Sequence, residues 1–336
     1  MNICIKDIAY YLPEKVLTNE ELEKEYDKWD SEKIFNKIGI KCRHIASDND
    51  TAVDLAEKAS IQLFNRNPDL RNRIDFMMLC TQSPDYLIPT SACILQDRLG
   101  IPKTCGALDY NLGCSGFIYG LALSKGLIAT GIANNVLLLT SETYTKHIHP
   151  KDMSTRTIFG DGAAAIWICK SSDGGSIDEF VLGSDGSGAQ NLIIPSGGLK
   201  LSRSNETARE YVDENGNIRS KDNLYMNGSE VFSFTINVVP KLVEQTLIKN
   251  NLEMGDIDYF IFHQANKYML DYLRKKINIP EEKFYLDMET TGNTVSSTIP
   301  IAVSQALNKG FIKKGSKLML VGFGVGYSWG ACVVSL

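Results

Sequence analysis

The residue best suited to covalent chemistry in this 336-residue chain is Cys114. It stands in Asn111-Leu-Gly-Cys-Ser-Gly116, after a predicted buried strand over residues 105–110 and at the start of a predicted helix that opens with Cys114 and Ser115. The unsatisfied N–H groups at a helix start favour a thiolate and lower the pKa of a thiol. The flanking glycines leave room for a substrate. The pattern predicts a nucleophile, with simple packing of a buried thiol as the alternative.

Composition and charge narrow the class of protein. Hydrophobic residues make up 43% of the chain, enough for a large core, and the length suggests about two domains. A net charge of −5 without a basic run gives no reason to expect binding to nucleic acid. No signal peptide and no apolar run of membrane-spanning length is visible, so we expect a cytoplasmic protein without a membrane partner.

The cysteines and histidines do not form a pattern typical of a metal site. The eight cysteines are scattered and include no Cys-x-x-Cys pair, which also argues against a redox dithiol. His147 and His149 stand two residues apart, but without a nearby cysteine or carboxylate pair we interpret them as loop residues. We therefore expect no metal ligands and reduced thiols.

Apolar runs and helical patterns alternate along the chain. Ile74 to Thr81 and Asn135 to Thr140 are nearly continuous apolar runs, typical of strands that are buried on both faces. Helices are predicted near residues 19–29, from Thr51 to about Asn65 and from Ser91 to Leu99. This alternation predicts an α/β fold.

An internal repeat divides the chain into two similar halves. In each half an Ile-Asp-aromatic start leads into an apolar strand, and later segments match at similar spacing. We interpret the repeat as two domains of one architecture, residues 1–172 and 173–336, with chance similarity of short α/β units as the alternative. The matched segments are Ile74-Asp75-Phe76 with Ile257-Asp258-Tyr259, Leu99–Pro102 with Ile277–Pro280, Leu108-Asp109 with Leu286-Asp287, Gly113–Ser115 with Gly292–Thr294, and Gly131 with Gly310.

The repeat assigns positions to three polar residues. Cys114 and Asn293 occupy matching strand-to-helix turns. His263 ends the buried strand of the second half, opposite Thr81 in the first. Ligands of open α/β sheets gather at the carboxyl ends of strands, where all three residues are expected. Gly322-Phe-Gly-Val-Gly326 ends another strand there, and because a strand follows it, we expect a backbone N–H near a reacting oxygen rather than a dinucleotide site.

Eight short segments together form a specific signature that spans essentially the whole chain. They are Tyr11–Glu14, Arg43–Ile45, Pro89–Cys93, Asp109–Gly116, Phe159–Gly162, His263–Asn266, Gly292–Thr294 and Phe323–Gly330. In these segments the sequence resembles the β-ketoacyl-acyl-carrier-protein synthase III family of the thiolase superfamily. The resemblance implies an α/β fold of the thiolase-like five-layer αβαβα type with two pseudo-equivalent halves, a homodimer, and a catalytic triad of Cys114, His263 and Asn293.

The reaction that the resemblance implies starts with acyl transfer to Cys114. Backbone N–H groups of Cys114 and Val325 would hold the tetrahedral oxyanion. A malonyl thioester would then lose CO2, and His263 and Asn293 would donate hydrogen bonds to the enolate. No cofactor is implied, since acyl and malonyl thioesters of acyl carrier protein or CoA are the substrates.

Further residues are implied to support the site. Gly324 lies in the oxyanion loop, and Asn266 is expected to orient the site. The loop Asp85–Pro89 is expected to reach into the acyl tunnel of the partner in the homodimer, with Ile88 where relatives often place Phe, which leaves room for an acyl group longer than acetyl. The Gly/Ser/Asn-rich stretch over residues 183–227 is expected to roof the cavity.

Departures from the family pattern bear on the acyl donor. Relatives that use acetyl-CoA hold its adenine between a Trp and an Arg, whereas Lys33 and Met153 stand at the matching positions here. We therefore expect more efficient loading from an acyl carrier protein than from acyl-CoA, which remains the alternative donor. The residues expected to bind the acidic carrier are Lys37, Lys41, Arg43, Arg156 and Lys267.

Three functions stay open at this point. The first is a condensing enzyme of a specialised lipid or secondary-metabolite pathway. The second is an acyltransferase in which Cys114 passes its acyl group to an amine or alcohol without decarboxylation. The third is a non-catalytic partner subunit, against which the intact Cys114, His263 and Asn293 argue.

Overall fold

The computed structural model describes residues 2–26, 29–171 and 174–336. The strands are β1 (Ile3–Tyr11), β2 (Val16–Thr18), β3 (Cys42–His44), β4 (Phe76–Cys80), β5 (Gly106–Tyr110), β6 (Asn135–Glu142), β7 (Gly162–Lys170), β8 (Ser176–Ser184), β9 (Leu192–Ile193), β10 (Tyr211–Val212), β11 (Ile218–Arg219), β12 (Tyr225–Met226), β13 (Tyr259–Phe262), β14 (Lys317–Gly324) and β15 (Ser328–Ser335). The helices are α1 (Asn19–Glu25), α2 (Ser31–Ile38), α3 (Ala52–Arg66), α4 (Ser91–Arg98), α5 (Gly116–Ala129), α6 (Met153–Arg156), α7 (Gly228–Lys249), α8 (Lys267–Ile277) and α9 (Thr298–Asn308).

The predicted strands and helices of the first half are present, with changes at their ends. The two apolar runs form β4 and β6, and the predicted helices form α1, α3 and α4. Thr18 and Thr51 open α1 and α3 through capping boxes, in which each threonine accepts from a backbone N–H three residues later. The first predicted helix is shorter than expected, since α1 ends at Glu25, and α2 was not predicted at all.

Two sheets stack between three layers of helices. Their strand orders are β1-β7-β6-β4-β5 and β13-β14-β15-β8. Helices α5 and α9 lie between the sheets, because their apolar residues share one core with both. Helices α3 and α4 cover the outer face of the first sheet, and α7 and α8 cover that of the second. This is the five-layer αβαβα order that the sequence implied.

Strand β6 shows why the central strands read as continuous apolar runs. Val136 and Leu138 pack into the core between the sheets, while Leu137 and Leu139 pack into the outer core beneath α3. All four side chains are fully buried. A strand covered on both faces cannot alternate between apolar and polar residues, so its sequence stays apolar throughout.

The two sheets repeat one topology. Strands β1, β7, β6 and β4 of the first sheet correspond in order to β8, β15, β14 and β13 of the second. The matched aspartates do the same work in both halves: Asp75 accepts from Asn134 N and Asn135 N ahead of β6, and Asp258 accepts from Lys317 N at the start of β14. The Ile-Asp-aromatic motif therefore holds the next parallel strand in register.

Matched residues of the repeat also end matched helices. Gly131 and Gly310 follow α5 and α9 with φ angles of 77° and 76°, and Gly100 and Asn278 follow α4 and α8 with φ angles of 64° and 60°. This left-handed conformation is accessible to glycine and, among other residues, best to asparagine. The spacing of the repeat therefore records where the helices of each half end.

The predicted boundary between the halves, at residues 172 and 173, lies outside the described residues. On either side of it, β7 ends the first sheet at Lys170 and β8 begins the second at Ser176. None of the helices in the described ranges is long and apolar enough to cross a membrane.

Candidate active site

Cys114 lies in the turn between β5 and α5, against the end of β14 from the other half. A Cβ atom at Gly324 would stand 3.0 Å from Cys114 Sγ, and one at Gly322 would stand 2.9 Å from Ser115 Cα. Only glycine allows β14 to approach the turn so closely. The glycine loop therefore packs directly against the sulfur of Cys114.

The sequence-based expectation of a thiolate at Cys114 is wrong. The side chain is 6% exposed, and burial raises the pKa of the Cys114 thiol to about 12, with a further contribution from the nearby Glu142 carboxyl. Helix α5 begins at Gly116 with Ser115 as its cap residue, so Cys114 stands just outside the helix. The loss of hydration outweighs the field of the helix end. At rest the nucleophile is a neutral thiol that needs a base.

His263 follows β13 and lies beside Asn293. Its side chain is 2% exposed, and burial lowers the pKa of His263 to about 3, so the ring is neutral. Nδ1 lies 2.7 Å from Thr298 Oγ1, which itself donates to the Val295 carbonyl oxygen. Because the threonine hydrogen is already engaged, Oγ1 accepts from Nδ1–H. The lone pair of His263 therefore resides on Nε2.

Asn293 directs its amide NH2 group at that lone pair. Its Oδ1 accepts from Val295 N at 2.9 Å, which fixes the orientation of the amide. Its Nδ2 then lies 3.5 Å from His263 Nε2. Val295 also packs in the same cluster as Cys114, so the predicted Cys114, His263 and Asn293 are gathered at one sheet edge.

The role expected for Asn266 belongs to another residue. Asn266 is the cap of α8, where its side chain accepts from Met269 N. Gln264, which is buried, holds the turn after His263: its Nε2 donates to Phe262 O and its Oε1 accepts from Asp287 N. The side chain two positions earlier thus positions the histidine, while Asn266 stabilises the helix that follows.

An apolar cluster surrounds Cys114, so an acyl group on its sulfur would contact apolar side chains. Leu192 and Leu224 come from the stretch that was predicted to roof the cavity, and both pack in this cluster. Tyr144 and Phe159 pack with ring centroids 5.1 Å apart. The buried members of the cluster are Cys114, Tyr144, Ile148, Phe159, Leu192, Leu224 and Val295.

Sequence reasoning missed a buried carboxyl group beside the nucleophile. Glu142 is fully buried at the end of β6, where it accepts from Gln82 N and from Ser83 Oγ. Burial raises the pKa of Glu142 to about 8. A charged residue at the end of a buried apolar strand was the available signal. Glu142 anchors the start of the loop that carries Ile88.

Two family models match the chain. One covers Cys114, and the other covers His263 and Asn293. One, described as 3-oxoacyl-[acyl-carrier-protein] synthase III, matches residues 108–186, and the model of the C terminal part matches residues 247–336. A β-ketoacyl-[acyl-carrier-protein] synthase III of Clostridium perfringens (strain SM101 / Type A) is 37% identical over 335 residues, which cover 100% of this chain and 99% of the relative. The chain belongs to the 3-oxoacyl-[acyl-carrier-protein] synthase III family.

Solved structures of this synthase family share the fold. One crystal structure of a 3-oxoacyl-(acyl-carrier-protein) synthase III has a TM-score of 0.98 and 50% identity, and the match covers 100% of both chains. That of a 3-oxoacyl-(acyl-carrier-protein) synthase from Burkholderia xenovorans LB400 has a TM-score of 0.91 and 35% identity, covering 100% of this chain and 94% of that one. The thiolase-like fold class and the assignment as a condensing enzyme are confirmed.

The five residues expected to bind the carrier of a family synthase separate into two groups. Lys37, Lys41 and Lys267 are exposed, and α8 begins against the end of α2, where Lys267 covers Gly39. Lys41 is paired with Glu289. Three of the five thus stand near one another on the surface.

The expectation for Arg43 is wrong, and Arg156 is already engaged. Arg43 is fully buried and donates to Leu17 O, Asn19 Oδ1 and Thr157 O, so a carrier cannot reach it. Arg156 is paired with Glu25 through both guanidinium nitrogens and lines a cavity of about 480 Å³ beside Ile148 and Phe159. Both arginines hold the chain together around the site.

No open adenine clamp forms at the positions compared with synthases that take acetyl-CoA. Lys33 is exposed and pairs with Asp30, and Met153 is 38% exposed. A Trp and an Arg do meet nearby, since the Arg156 guanidinium carbon lies 5.9 Å from the Trp29 ring centroid. Trp29 is only 7% exposed, so its ring has no open face on which an adenine base could stack.

Among the described residues, no group of three or more His, Cys, Asp or Glu side chains is arranged to hold a metal ion.

We predict that Gly324→Ala lowers the rate of Cys114 acylation by at least about 100-fold, because the new methyl group would displace the sulfur. The matched control is Gly126→Ala in α5, where a Cβ meets nothing within 4 Å. Acylation by a thioester, followed by intact-protein mass, is the measurement. A Gly324→Ala protein that acylates as fast as the control would contradict the packing argument.

Proposed function

We propose that this synthase transfers an acyl group to Cys114 and then condenses it with a malonyl thioester, with loss of CO2, in a specialised lipid or secondary-metabolite pathway. The observation that carries the proposal is that Nε2 of a neutral His263 bears the lone pair of the ring and lies 3.5 Å from the fixed NH2 group of Asn293. Both groups are linked by hydrogen bonds to the backbone of Val295, His263 by way of Thr298, and Val295 packs in the same cluster as the buried Cys114 thiol.

Loading begins with proton transfer from Cys114 to His263 Nε2 as the sulfur attacks the thioester carbonyl. The tetrahedral oxyanion is stabilised by backbone N–H groups, for which Cys114 and Val325 are the candidates. The donor thiol leaves as a thiolate and takes a proton from water. Acylated Cys114 and protonated His263 remain.

Condensation uses the same two donors. When the malonyl thioester loses CO2, negative charge gathers on its thioester oxygen, and His263 Nε2–H and Asn293 Nδ2–H donate to it. The enolate carbon attacks the acyl carbonyl, and the Cys114 sulfur leaves and recovers its proton from His263. The chain's own side chains and backbone supply every donor, so the proposal requires no cofactor.

The acyl donor is proposed to be an acyl carrier protein, with acyl-CoA as the weaker donor. The exposed Lys37, Lys41 and Lys267 suit an acidic carrier, and the buried Trp29 offers no free face to an adenine.

A homodimer is also proposed. Its support is the loop after β4, in which Tyr86, Leu87 and Ile88 are 60%, 84% and 86% exposed. Adjacent apolar side chains with this exposure are typical of an interface.

Asn293→Ala is predicted to leave acylation of Cys114 within a few-fold of wild type while CO2 release from a malonyl thioester falls about 100-fold, since one oxyanion donor is worth about 3 kcal/mol. Asn266→Ala, which removes only a helix cap, serves as the control and should affect stability but not the ratio of the two rates. Product formed by the wild type without CO2 release would support the acyltransferase alternative instead.

Reversing the charges of Lys37 and Lys267 together (Lys37→Glu, Lys267→Glu) is predicted to lower kcat/KM for a carrier-bound acyl donor about tenfold, because favourable contacts become repulsive. The same acyl group on CoA should load at a nearly unchanged rate. Lys103→Glu is the control. Lys103 precedes β5 and Cys114 follows it, so the two residues lie at opposite ends of that strand. Equal losses for both donors would overturn the carrier assignment.

A further inference from the structure

The acyl space beside Cys114 contains a tyrosine whose hydroxyl group is not used by the fold. Tyr144 is 3% exposed, and its hydroxyl has no hydrogen-bond partner among the described residues. Three other tyrosines use this group within the fold: the hydroxyls of Tyr110, Tyr119 and Tyr285 donate to Gly116 O, Gly183 O and Asp287 Oδ2. The Tyr144 oxygen is not among the fully enclosed side-chain atoms that lack a partner, so it borders open space and keeps its O–H group for a ligand.

Tyr144 borders the same space as the nucleophile. It belongs to the apolar cluster of Cys114, and its ring packs on Phe159, another member. Burial is the main cause that raises the pKa of Tyr144, and the nearby ionisable groups of Cys114 and Glu142 add to it. The phenol is therefore un-ionised and lies near the sulfur. The other buried members are Ile148, Phe159, Leu192, Leu224 and Val295, all apolar.

The neighbouring polar groups cannot satisfy the Tyr144 hydroxyl, because they satisfy one another. Ser83 Oγ donates to Glu142 and lies 3.1 Å from His147 Nε2, from which it therefore accepts. Glu142 also accepts from Gln82 N. The His147 ring meets the Tyr144 ring edge-on, with centroids 6.0 Å apart. Gln82 Oε1 is also without a partner, but it is an acceptor. Of these side chains, Tyr144 is therefore the one with an unused O–H donor.

We propose that Tyr144 selects an acyl group that carries a hydrogen-bonding oxygen, a hydroxyl or a keto group, on the chain attached to Cys114. The inference rests on the proposed function, since it requires an acyl group on that sulfur. An oxygenated chain gives the phenol its missing partner. A plain alkyl chain buries the phenol unpaired, and sites built around a polar contact discriminate strongly against substrates that lack it.

The test compares three acyl groups of similar size on one donor: butanoyl, 3-hydroxybutanoyl in both enantiomers, and 3-oxobutanoyl. Rates of Cys114 acylation are measured by intact-protein mass for the wild type and for Tyr144→Phe, which keeps the ring and its packing. We expect the wild type to favour an oxygenated group over butanoyl by about tenfold or more. In Tyr144→Phe the ratio of the oxygenated-acyl rate to the butanoyl rate should fall to about one.

Tyr119→Phe is the matched control, because it removes a hydroxyl that is already bonded to Gly183 O. It should alter stability while leaving the preference intact. A wild-type preference for butanoyl, or an equal preference in wild type and Tyr144→Phe, would overturn the role of Tyr144 while the proposed function stands. Failure of every thioester to acylate Cys114 would overturn both.

Discussion

Burial keeps both Cys114 and His263 uncharged, and the polar contacts around the site follow from this constraint. A neutral thiol is a weak nucleophile, so it needs a base with a free lone pair. Thr298 provides this by accepting from Nδ1–H, which leaves Nε2 open. Asn293 is then fixed through Val295 N so that its NH2 group, and not its oxygen, faces the histidine.

The duplicated architecture brings these groups to one place. Cys114 comes from the first half, and His263, Asn293 and the glycine-bearing end of β14 come from the second. The contact between Cys114 and Gly324 joins the halves at the sulfur itself. A change that shifts α5 against β14 would therefore disturb the nucleophile before it disturbed the core. The site depends on the packing of two sheets on a shared pair of helices, α5 and α9.

Much of this could be predicted from the sequence, because residue type and spacing are local properties. The apolar runs of β4 and β6, the capping boxes of α1 and α3, and the helix ends at Gly131 and Gly310 are all set by short segments. The internal repeat extended the prediction to residues that are far apart in sequence, because matched positions of the two halves must lie at equivalent places in the two sheets.

The features that could not be predicted depend on burial by residues that are far apart in sequence. The raised pKa of Cys114 comes from burial under β14, more than 200 residues away in sequence. Arginine is typical of protein surfaces, yet three oxygens from two segments of the chain bind the buried Arg43 guanidinium group. Glu142, Thr298 and Tyr144 carry no motif, and only their neighbours show what each contributes.

The resting site holds a neutral thiol and a neutral imidazole rather than an ion pair. The direct measurement is the ultraviolet absorbance of thiolate in the wild type minus that in Cys114→Ala, titrated from about pH 5 to about pH 10. We expect no thiolate signal from Cys114 below about pH 9, because burial opposes ionisation of the thiol. A signal already half developed at about pH 7 or below would show a thiolate and imidazolium pair and would contradict it.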